Sequence, residues 1–461
     1  MRRLIYIALS VVASMIAVNT SAQMRTSYFM EGSYFRNELN PALAPTRGYI
    51  ALPYIGGLGV NMNNNFLSVS NFFYKSGNEV VTALHESISA DKFLGRLPQT
   101  GRFAMNLNTD IFGVGFHTKK SYWNFGANLR TNNELTMSKD IFKALKSLGN
   151  GFYDLDKTAF SSTSYAELYV GNTRKVADFD FGTLTVGAKV KFLVGLMNLS
   201  TEMDQMYVNV TSDKITGHLQ GVIRANGLIF DSSKVVAGDK FSDEIIFDDI
   251  NEIFSNFNNF GAAIDLGAEL SLLDERLRVS AAVTDLGFIK WSPKNHVEAE
   301  TRADFYFNGV NFDTGDADSD GSGDVYMKDV KNGGYATRVN CSLNLGAEYN
   351  VLEDRIGFGL LSHTDFGHKS TISELTASVN FRPMNWFSAT VSHTLLNRNR
   401  LGVFGFALNV HPTGFNFFIG ADYIPLKMVK FEDIPVPYNM KSLNLYMGVG
   451  FNLGRAKYLK N

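Results

Sequence analysis

Apolar and polar residues alternate in runs of about ten residues along most of this chain, and this alternation constrains its fold more than any other feature. In the last run the apolar members are Leu443, Leu445, Met447, Val449, Phe451 and Leu453. Side chains of a β-strand point alternately to its two faces, so the run has one apolar face and one polar or small face. A run of about ten residues is also long enough to cross a bilayer as a tilted strand. The pattern therefore predicts membrane-crossing strands.

Similar runs begin near Tyr49, with clear examples at residues 184–194, 262–272 and 339–349. Counting them gives about 14 crossings, and about 12 to 18 are compatible with the pattern. Within lipid no strand edge can stay unpaired, so the strands must close on themselves. We predict an all-β fold, a closed antiparallel transmembrane β-barrel of about 14 strands with an N-terminal plug segment and short loop helices. Apolar residues at helical spacing predict such helices at residues 79–97, 139–148 and 243–253.

The composition favours a barrel and argues against several other classes of protein. The 10 prolines are few, while the 41 glycines, 37 phenylalanines and 19 tyrosines favour strands, tight turns and aromatic girdles. The formal net charge of −2 argues against a nucleic-acid partner. The sequence has no Gly-x-Ser-x-Gly, His-Glu-x-x-His, paired-cysteine or phosphate-loop motif, so we do not expect an enzyme. A hydrolase with Ser and His on neighbouring strands would leave no local motif and stays open.

The first residues have the three parts of a secretory signal peptide. Arg2 and Arg3 precede an apolar run over residues 4–18, and small residues follow at the expected cleavage site after Ala22. The apolar run is shorter than the ~20 residues that a spanning helix needs. We therefore expect residues 1–22 to be removed and the mature chain to begin at Gln23, in the outer membrane of a Gram-negative cell.

Residues 23–47 show little alternation and precede the first strand. Pro41 and Pro45 restrict the backbone and lack N–H donors, so this segment is expected to be irregular and could enter the barrel mouth. The chain then divides into a signal peptide at residues 1–22, an N-terminal hatch or plug at residues 23–47, and an outer-membrane β-barrel at residues 48–461.

An Asn-Pro-Ala-Leu element lies just before the first strand; its residues are Asn40, Pro41, Ala42 and Leu43. With the strand pattern that follows, it resembles the long-chain fatty acid transporter superfamily of outer-membrane barrels. The overall pattern is closer still to a family of uncharacterised outer-membrane proteins in the same group. The resemblance implies that these four residues belong to a hatch inside a 14-stranded barrel, through which a small hydrophobic compound passes or in which it binds.

Ten charged or ionisable residues lie on the polar faces of the predicted strands. A charge on the lipid face costs about 2 to 4 kcal/mol near the midplane, so these side chains are expected to point into the lumen. Mutual pairing and selection of a solute are both open as their role. The ten residues are Lys189, Lys191, Asp265, Glu269, Arg278, Arg338, Glu348, His393, His411 and Asp422.

An acidic stretch has the aspartate spacing of a calcium loop. Its candidate ligands are Asp316, Asp318, Asp320 and Asp324, with Gly321 at the sixth position. Met327 stands where such a loop has a bidentate glutamate, so we expect at most weak Ca²⁺ binding and no other cofactor. A solvated loop of Asp and Gly residues is the alternative interpretation.

Three functions are compatible with the sequence. The first is a plugged barrel that passes or binds a small hydrophobic compound, with membrane lipid around it. The second is a non-transporting component of a secretion or cell-surface assembly, which envelope protein partners would recognise through the loops at residues 226–260 and 308–334. The third is a soluble exported β-sandwich or adhesin, in which the apolar rows would be buried between two sheets.

Overall fold

The computed structural model describes residues 25–76, 79–147, 149–212, 214–240, 257–310, 317–330, 333–368, 371–396, 399–424, 428–431, 434–437 and 442–454. The predicted signal peptide at residues 1–22 and the predicted helix at residues 243–253 lie outside these ranges.

The described strands are β1 Gly48–Ala51, β2 Leu58–Asn64, β3 Phe73–Ser76, β4 Glu79–Thr82, β5 Thr100–His117, β6 Ser121–Ser138, β7 Gly151–Asp154, β8 Ala159–Phe179, β9 Gly182–Val210, β10 Ile215–Gly227, β11 Phe260–Leu272, β12 Leu277–Trp291, β13 His296–Val310, β14 Ala317–Met327, β15 Tyr335–Arg338, β16 Cys341–Val351, β17 Ile356–Phe366, β18 Thr371–Met384, β19 Phe387–Leu396, β20 Asn399–Val410, β21 Asn416–Ile424, β22 Met428–Phe431, β23 Ile434–Pro437 and β24 Ser442–Leu453. The described helices are Arg36–Leu39, Val69–Phe72, Ala90–Leu94 and Lys139–Lys146, with short 3₁₀ turns at Arg25–Ser27, Ser232–Lys234 and Pro293–Asn295.

Antiparallel pairing joins most of these strands into one sheet that closes as a barrel of 14 strands, whereas β3 with β4 and β22 with β23 form separate hairpins. β1 and β2 together form the first strand, and both pair with β5 on one side and with β24 on the other. β15 and β16 together form one further strand, because both pair with β12. The pairing of the first strand with the last closes the barrel. The predicted architecture and strand number are therefore confirmed.

The barrel carries its apolar side chains outside and its polar side chains inside. In β18, Leu375 and Val379 are exposed on the outer face, whereas Glu374, Thr376 and Asn380 between and beside them are buried. The same arrangement recurs in β16 and β17. Apolar rows buried between two sheets would have the opposite orientation, so the β-sandwich alternative is wrong.

The two ends of the barrel differ. At one end, the short-turn end, consecutive strands are joined by residues 118–120, 180–181, 273–276, 352–355, 385–386 and 411–415. At the opposite, long-loop end, β9 extends beyond the barrel and pairs with β10, which pairs with β13, which pairs with β14. We call β10, β13 and β14 the extension sheet.

Helices and a small hairpin cover part of the long-loop end. Ser138 accepts a hydrogen bond from the Asp140 N–H (3.3 Å) and begins the helix Lys139–Lys146, close to the predicted residues 139–148. The predicted helix at residues 79–97 is wrong in its first part, because β4 pairs with β3 there and only Ala90–Leu94 is helical. The apolar positions that suggested a longer helix include Ile88 and Phe93, which are buried against Phe142 and its neighbours. None of the described helices has the length and hydropathy needed to cross a membrane.

The first barrel strand is interrupted at residues 52–57, between β1 and β2. Tyr54 has a φ of +63°, and it protrudes with Ile55 from the outer face. Hydrogen bonds still satisfy this backbone, since the Tyr54 N–H donates to the Asp110 carbonyl (2.9 Å) and the Val449 N–H donates to the Ile55 carbonyl (2.9 Å). Internal satisfaction is what a break in a membrane-facing strand requires.

Candidate functional site

The N-terminal segment, residues 25–47, lies inside the barrel. Its aromatic side chains, among them Tyr28, Phe29, Tyr34 and Phe35, are almost fully buried in one cluster with inward-facing residues of the wall such as Phe418. The segment therefore fills the lumen at the level where it lies. It contacts the wall through closely packed backbone, through charged groups and through aromatic rings.

Asn40 and Pro41 fit against two glycines of adjacent strands. Gly187 in β9 and Gly267 in β11 are direct register partners. A Cβ atom on Gly187 would lie 2.0 Å from the Pro41 carbonyl oxygen, and one on Gly267 would lie 2.1 Å from Asn40 Oδ1. Contacts that short do not occur, so only glycine allows the segment to approach the wall here. We call Gly187 and Gly267 the glycine seat.

Neutral hydrogen bonds fix the backbone on this seat. The Thr173 hydroxyl donates to the Pro41 carbonyl (2.6 Å), and Asn344 Nδ2 donates to the Leu39 carbonyl (2.9 Å). Asn40 Oδ1 accepts from the Ala42 N–H (2.9 Å), which closes a local turn before the chain leaves the lumen. Leu43 is buried in the aromatic cluster. All four residues of the Asn-Pro-Ala-Leu element thus lie in the lumen.

Charged groups hold the beginning of the segment. The backbone N–H groups of Arg25 and Thr26 donate to the Asp422 carboxylate at 3.1 and 3.0 Å. The Arg25 guanidinium forms an ion pair with Glu374, and the Tyr423 hydroxyl donates to Glu374 at 2.6 Å. Asp422 and Glu374 are both buried, so each depends on these partners for its charge to be tolerated.

Two charged residues, Glu31 and Arg36, hold the middle of the segment through further ion pairs. Glu31 contacts both Arg278 and Arg382, and Arg382 also pairs with Glu348. Arg36 lies 3.8 Å from Glu269. Glu31 thus joins the segment to β12 and β18, and Arg36 joins it to β11. Interior charges of the barrel are therefore largely matched by opposite charges.

An aromatic contact links the segment to the interrupted first strand. The Tyr34 ring is stacked on Tyr49 at a centroid distance of 4.1 Å, and its hydroxyl donates to the Gly56 carbonyl (2.6 Å). Phe35 occupies the space that a Cβ on Gly57 would need. The conformation of residues 52–57 thus depends on the segment behind it.

A cluster of charges lies in the wall on the long-loop side of the seat. Lys191 Nζ is 2.8 Å from Asp265 and 2.5 Å from Asp285, and Arg130 pairs with Asp285 (3.2 Å) and Glu167 (3.1 Å). The sequence pattern identified Lys191 and Asp265 but missed the other three. Asp285 has a φ of +60° at a register shift in β12, and this bulge turns its side chain inward. The local signal that could have found it is the Thr284-Asp285 pair, where two adjacent polar residues interrupt the alternation of apolar and polar residues along β12.

Eight of the ten predicted lumen residues lie inside the barrel, and two do not. The eight are Lys189, Lys191, Asp265, Glu269, Arg278, Glu348, His411 and Asp422. His393 lies on the outer face beside Phe404, because its neighbours Ser392 and Thr394 face inward.

Arg338 is exposed on the outer face, where it donates to the Gly367 carbonyl (2.5 Å). The backbone irregularity at residues 339–340, between β15 and β16, shifts the alternation by one residue and reverses the two faces.

An apolar patch covers the inner wall just beyond the charge cluster, toward the long-loop end. Trp291 and Ile289 are fully buried there, and Leu193 is nearly so. They pack with Tyr165, Ala263 and Val339. We call these six residues the inner apolar patch. At the other end a cavity of about 130 Å³ lies between the segment and the wall, lined by Arg36, Glu269 and His117 among others.

The predicted calcium run does not form a loop over its described part. Residues 317–327 form β14, paired in register with β13, and Asp316 lies outside the described residues. Asp324 pairs with Lys240 (3.2 Å). In the part of the chain that the structure describes, no group of three His, Cys, Asp or Glu residues is placed to hold a metal ion. Calcium binding stays a prediction.

A closed barrel with an apolar exterior, a polar interior and its own N-terminal segment in the lumen defines a β-barrel protein of the outer-membrane type. The model of the Family of unknown function (DUF5723) matches residues 41–422, and the chain belongs to that family. The predicted membership of an uncharacterised family is thereby confirmed. The search among curated proteins found no match.

Solved structures of hydrocarbon transporters are similar to this chain over nearly its whole length. The toluene transporter TbuX of Ralstonia pickettii has 8% identity and a TM-score of 0.39, covering 94% of this chain and 95% of its own. The toluene transporter TodX of Pseudomonas putida has 7% identity and a TM-score of 0.33, covering 94% and 93%. A deltaS2S3 mutant of the TodX monoaromatic hydrocarbon channel has 10% identity and a TM-score of 0.39, covering 95% and 96%. The strand pairing described above, rather than these scores, carries the argument for the barrel.

Proposed function

We propose that this protein is an outer-membrane barrel that passes or binds a small hydrophobic compound, with residues 25–47 acting as the hatch that closes its lumen. The observation that carries the proposal is the position of this segment between the short-turn end and the inner apolar patch. A compound that enters from the long-loop end would meet Trp291, Ile289 and Leu193 before it meets the hatch. The short-turn end would face the periplasm.

Passage requires the hatch to leave the glycine seat. The contacts of Asn40 and Pro41 with Gly187 and Gly267 leave no space for a solute between segment and wall. Every hydrogen bond on the seat is neutral, so displacing Asn40 and Pro41 alone separates no charges. The ion pair between Arg36 and Glu269 lies beside the seat on β11 and would stay in place in such a movement. The charged contacts of Arg25 lie on other strands and can hold the beginning of the hatch while its end moves.

Deletion of residues 31–44 tests the hatch. We expect the deletion variant in proteoliposomes to pass small sugars such as arabinose, because the lumen wall left behind is polar, while the full-length protein passes almost none. In intact cells the same deletion should raise the uptake of a labelled monoaromatic probe. Heat-modifiable migration on gels checks that the barrel is folded. Equal sugar flux for both proteins would contradict a hatch in residues 25–47.

A matched control separates opening of the lumen from general damage. The connection from β9 to β10, where the Thr211 N–H donates to the Lys214 carbonyl (2.9 Å), belongs to the extension sheet and lies away from the lumen. Replacing it by a Gly-rich turn should leave sugar flux at the full-length level.

A second function is favoured by the extension sheet. β10, β13 and β14 project beyond the barrel, which a simple pore does not need, and residues 296–330 contain nine acidic residues against two basic ones. The acidic composition of this segment suits a non-transporting component of a secretion or cell-surface assembly. Stoichiometric co-purification of an envelope protein, lost when residues 296–330 are replaced by a short loop, together with unchanged probe uptake, would favour it over transport.

A further inference from the structure

Two apolar grooves of similar size run along the outer wall of the barrel. The first has a volume of about 650 Å³ and lies over β6, β8 and β9, where Phe125, Val170 and Phe192 line it. The second has about 520 Å³ and lies over β11, β12 and β16, where Ala268, Ala281 and Leu345 line it. In a membrane both grooves face lipid chains. They differ in the charges found at their short-turn ends.

The first groove ends at a basic turn. Residues 118–120, which join β5 to β6, contain Lys119 and Lys120 and no acidic residue. Both lysines are exposed. The turns at 180–181, 273–276 and 352–355 each contain more acidic than basic residues, and those at 385–386 and 411–415 contain neither Lys, Arg, Asp nor Glu. Of the six short turns, only the turn at residues 118–120 is therefore cationic. The acidic turn at residues 180–181 joins β8 to β9 of the same groove, but it lies six residues farther along the chain than Arg174 and beyond the residues that line the groove.

Arg174 adds a third positive charge on the outer face. Its register partner is Ser121, which follows Lys120 in the chain. Arg174 is exposed and lies two residues nearer the short-turn end than Asn172, which also lines the groove. Within the described part of the chain, Lys119, Lys120 and Arg174 form no ion pair, whereas most cations in the lumen do. Their charge is available to an external anion.

The chemistry along the groove changes in the same order as the chemistry of a phospholipid. The cationic groups come first, the amide of Asn172 and the exposed indole of Trp123 come next, and Phe125, Leu168 and Phe192 follow. From Arg174 to Leu168 the distance along the strand is about 20 Å, at roughly 3.3 Å per residue. A phosphate, a glycerol ester region and an acyl chain occupy these levels in a bilayer leaflet.

We propose that this first groove is a binding site for an anionic glycerophospholipid, with its phosphate held by Lys119, Lys120 and Arg174 and its acyl chain in the groove. The inference rests on the proposed placement of the barrel in a membrane with the short-turn end at the leaflet rich in phospholipid. The second groove has no such preference, because the turns at its end, residues 273–276 and 352–355, are acidic. Basic groups near a membrane surface attract anionic lipids.

Quenching of tryptophan fluorescence by brominated lipid tests the proposal. The chain has three tryptophans, of which Trp291 is buried, so Trp386→Phe leaves Trp123 as the single lipid-exposed reporter. In phosphatidylcholine bilayers we expect brominated phosphatidylglycerol to bind at Trp123 about five- to tenfold more strongly than brominated phosphatidylcholine. Neutralisation by K119Q, K120Q and R174Q should reduce this ratio to about one.

Two controls distinguish the possible failures. The variant K214Q, K234Q and K294Q removes the same charge from exposed residues at the long-loop end, and it should leave the ratio unchanged. In Trp123→Phe the remaining exposed reporter, Trp386, lies within the uncharged turn at residues 385–386 and should show a ratio near one. Quenching of Trp123 without a headgroup preference, or a preference that survives neutralisation, overturns the lipid site alone. Absence of quenching by either lipid would contradict the membrane placement itself.

Discussion

The two ends of the N-terminal segment are held in the lumen by different forces. At Arg25 the contacts are ionic, with Asp422 and Glu374 buried on β21 and β18. At Asn40 and Pro41 the segment instead fits closely against two glycines, one on β9 and one on β11. Two neutral hydrogen bonds, from β8 and β16, accompany this close fit. Buried ions are costly to separate, whereas a neutral surface can be left and regained at smaller cost. The segment therefore has a fixed beginning at Arg25 and a part at Asn40 and Pro41 that can move.

The largest expected effect is at the ionic end. Replacing Arg25 by Met leaves Glu374 buried without its cation, and breaking one partner of such a pair typically costs about 3 to 5 kcal/mol. The backbone amides of residues 25 and 26 should then exchange with solvent at least about 100-fold faster. Mass spectrometry of the N-terminal peptide measures this rate. The double variant R25M/E374Q should recover most of the protection from exchange, because no unpaired charge is left. If exchange is unchanged in R25M, the ionic anchor is not what holds this end.

A smaller effect is expected at the glycine seat. Valine at Gly187 or Gly267 would overlap with backbone or side-chain atoms of Pro41 or Asn40, and overpacking of this kind costs about 1 to 3 kcal/mol. We expect each variant to keep the barrel and to raise sugar flux in proteoliposomes. Gly113→Ala is the matched control, since a Cβ there meets Ala51 at an ordinary 3.4 Å. Equal sugar flux in the two valine variants and in Gly113→Ala would show that the part of the segment at the glycine seat is not the part that moves.

Loss of the contact between Tyr34 and the first strand is expected to have a smaller effect than the glycine substitutions. Tyr34→Phe keeps the stacking on Tyr49 and removes the hydrogen bond to the Gly56 carbonyl, a loss of about 1 kcal/mol. Hydrogen exchange at residues 52–57 should rise by about five- to tenfold, while exchange at Arg25 stays the same. A change at both places would show that the segment moves as one unit.

A further effect is a pH dependence near the short-turn end, which develops only as the solution becomes acidic. His411, in the turn after β20, lies against Gly32 of the segment, and burial, with a further contribution from Arg47, lowers its pKa to about 4. Because its pKa is lowered only when the segment is docked, His411 takes up a proton more readily when the segment is undocked. Docking of the segment therefore weakens as the pH falls from about 6.5 toward about 4. Hydrogen exchange near Gly32 should increase over this range, and His411→Gln should abolish the increase.

The sequence predicted the barrel better than its interior. Alternation with period 2 determines which residues face lipid in regular strands such as β16 to β18, because the energetic difference between the two faces is large. The pattern fails where the backbone departs from it. The bulge at Thr284 and Asp285 brings Asp285 inward, and the irregularity at residues 339–340 moves Arg338 outward.

The candidate site was predictable only in part, because its contacts join residues that are far apart in the sequence. The Asn-Pro-Ala-Leu element suggested which residues enter the lumen, but their contact with Gly187 and Gly267 joins positions far apart in the chain. A glycine in a strand gives no sign of which neighbour approaches it. Likewise, Glu374 was not selected as a partner of Arg25, because long-range ion pairs leave no local spacing in the sequence.

The interrupted first strand also determines how the cylinder is sealed. The seam between the first and last strands consists of two short ladders, Gly48–Ala51 and residues 58–63 against β24, on either side of the break. Directly behind the break stands Tyr34, bonded to Gly56. The N-terminal segment therefore supports the seam from inside the barrel, and its removal takes away a hydrogen bond from the break without removing either ladder between the first and last strands.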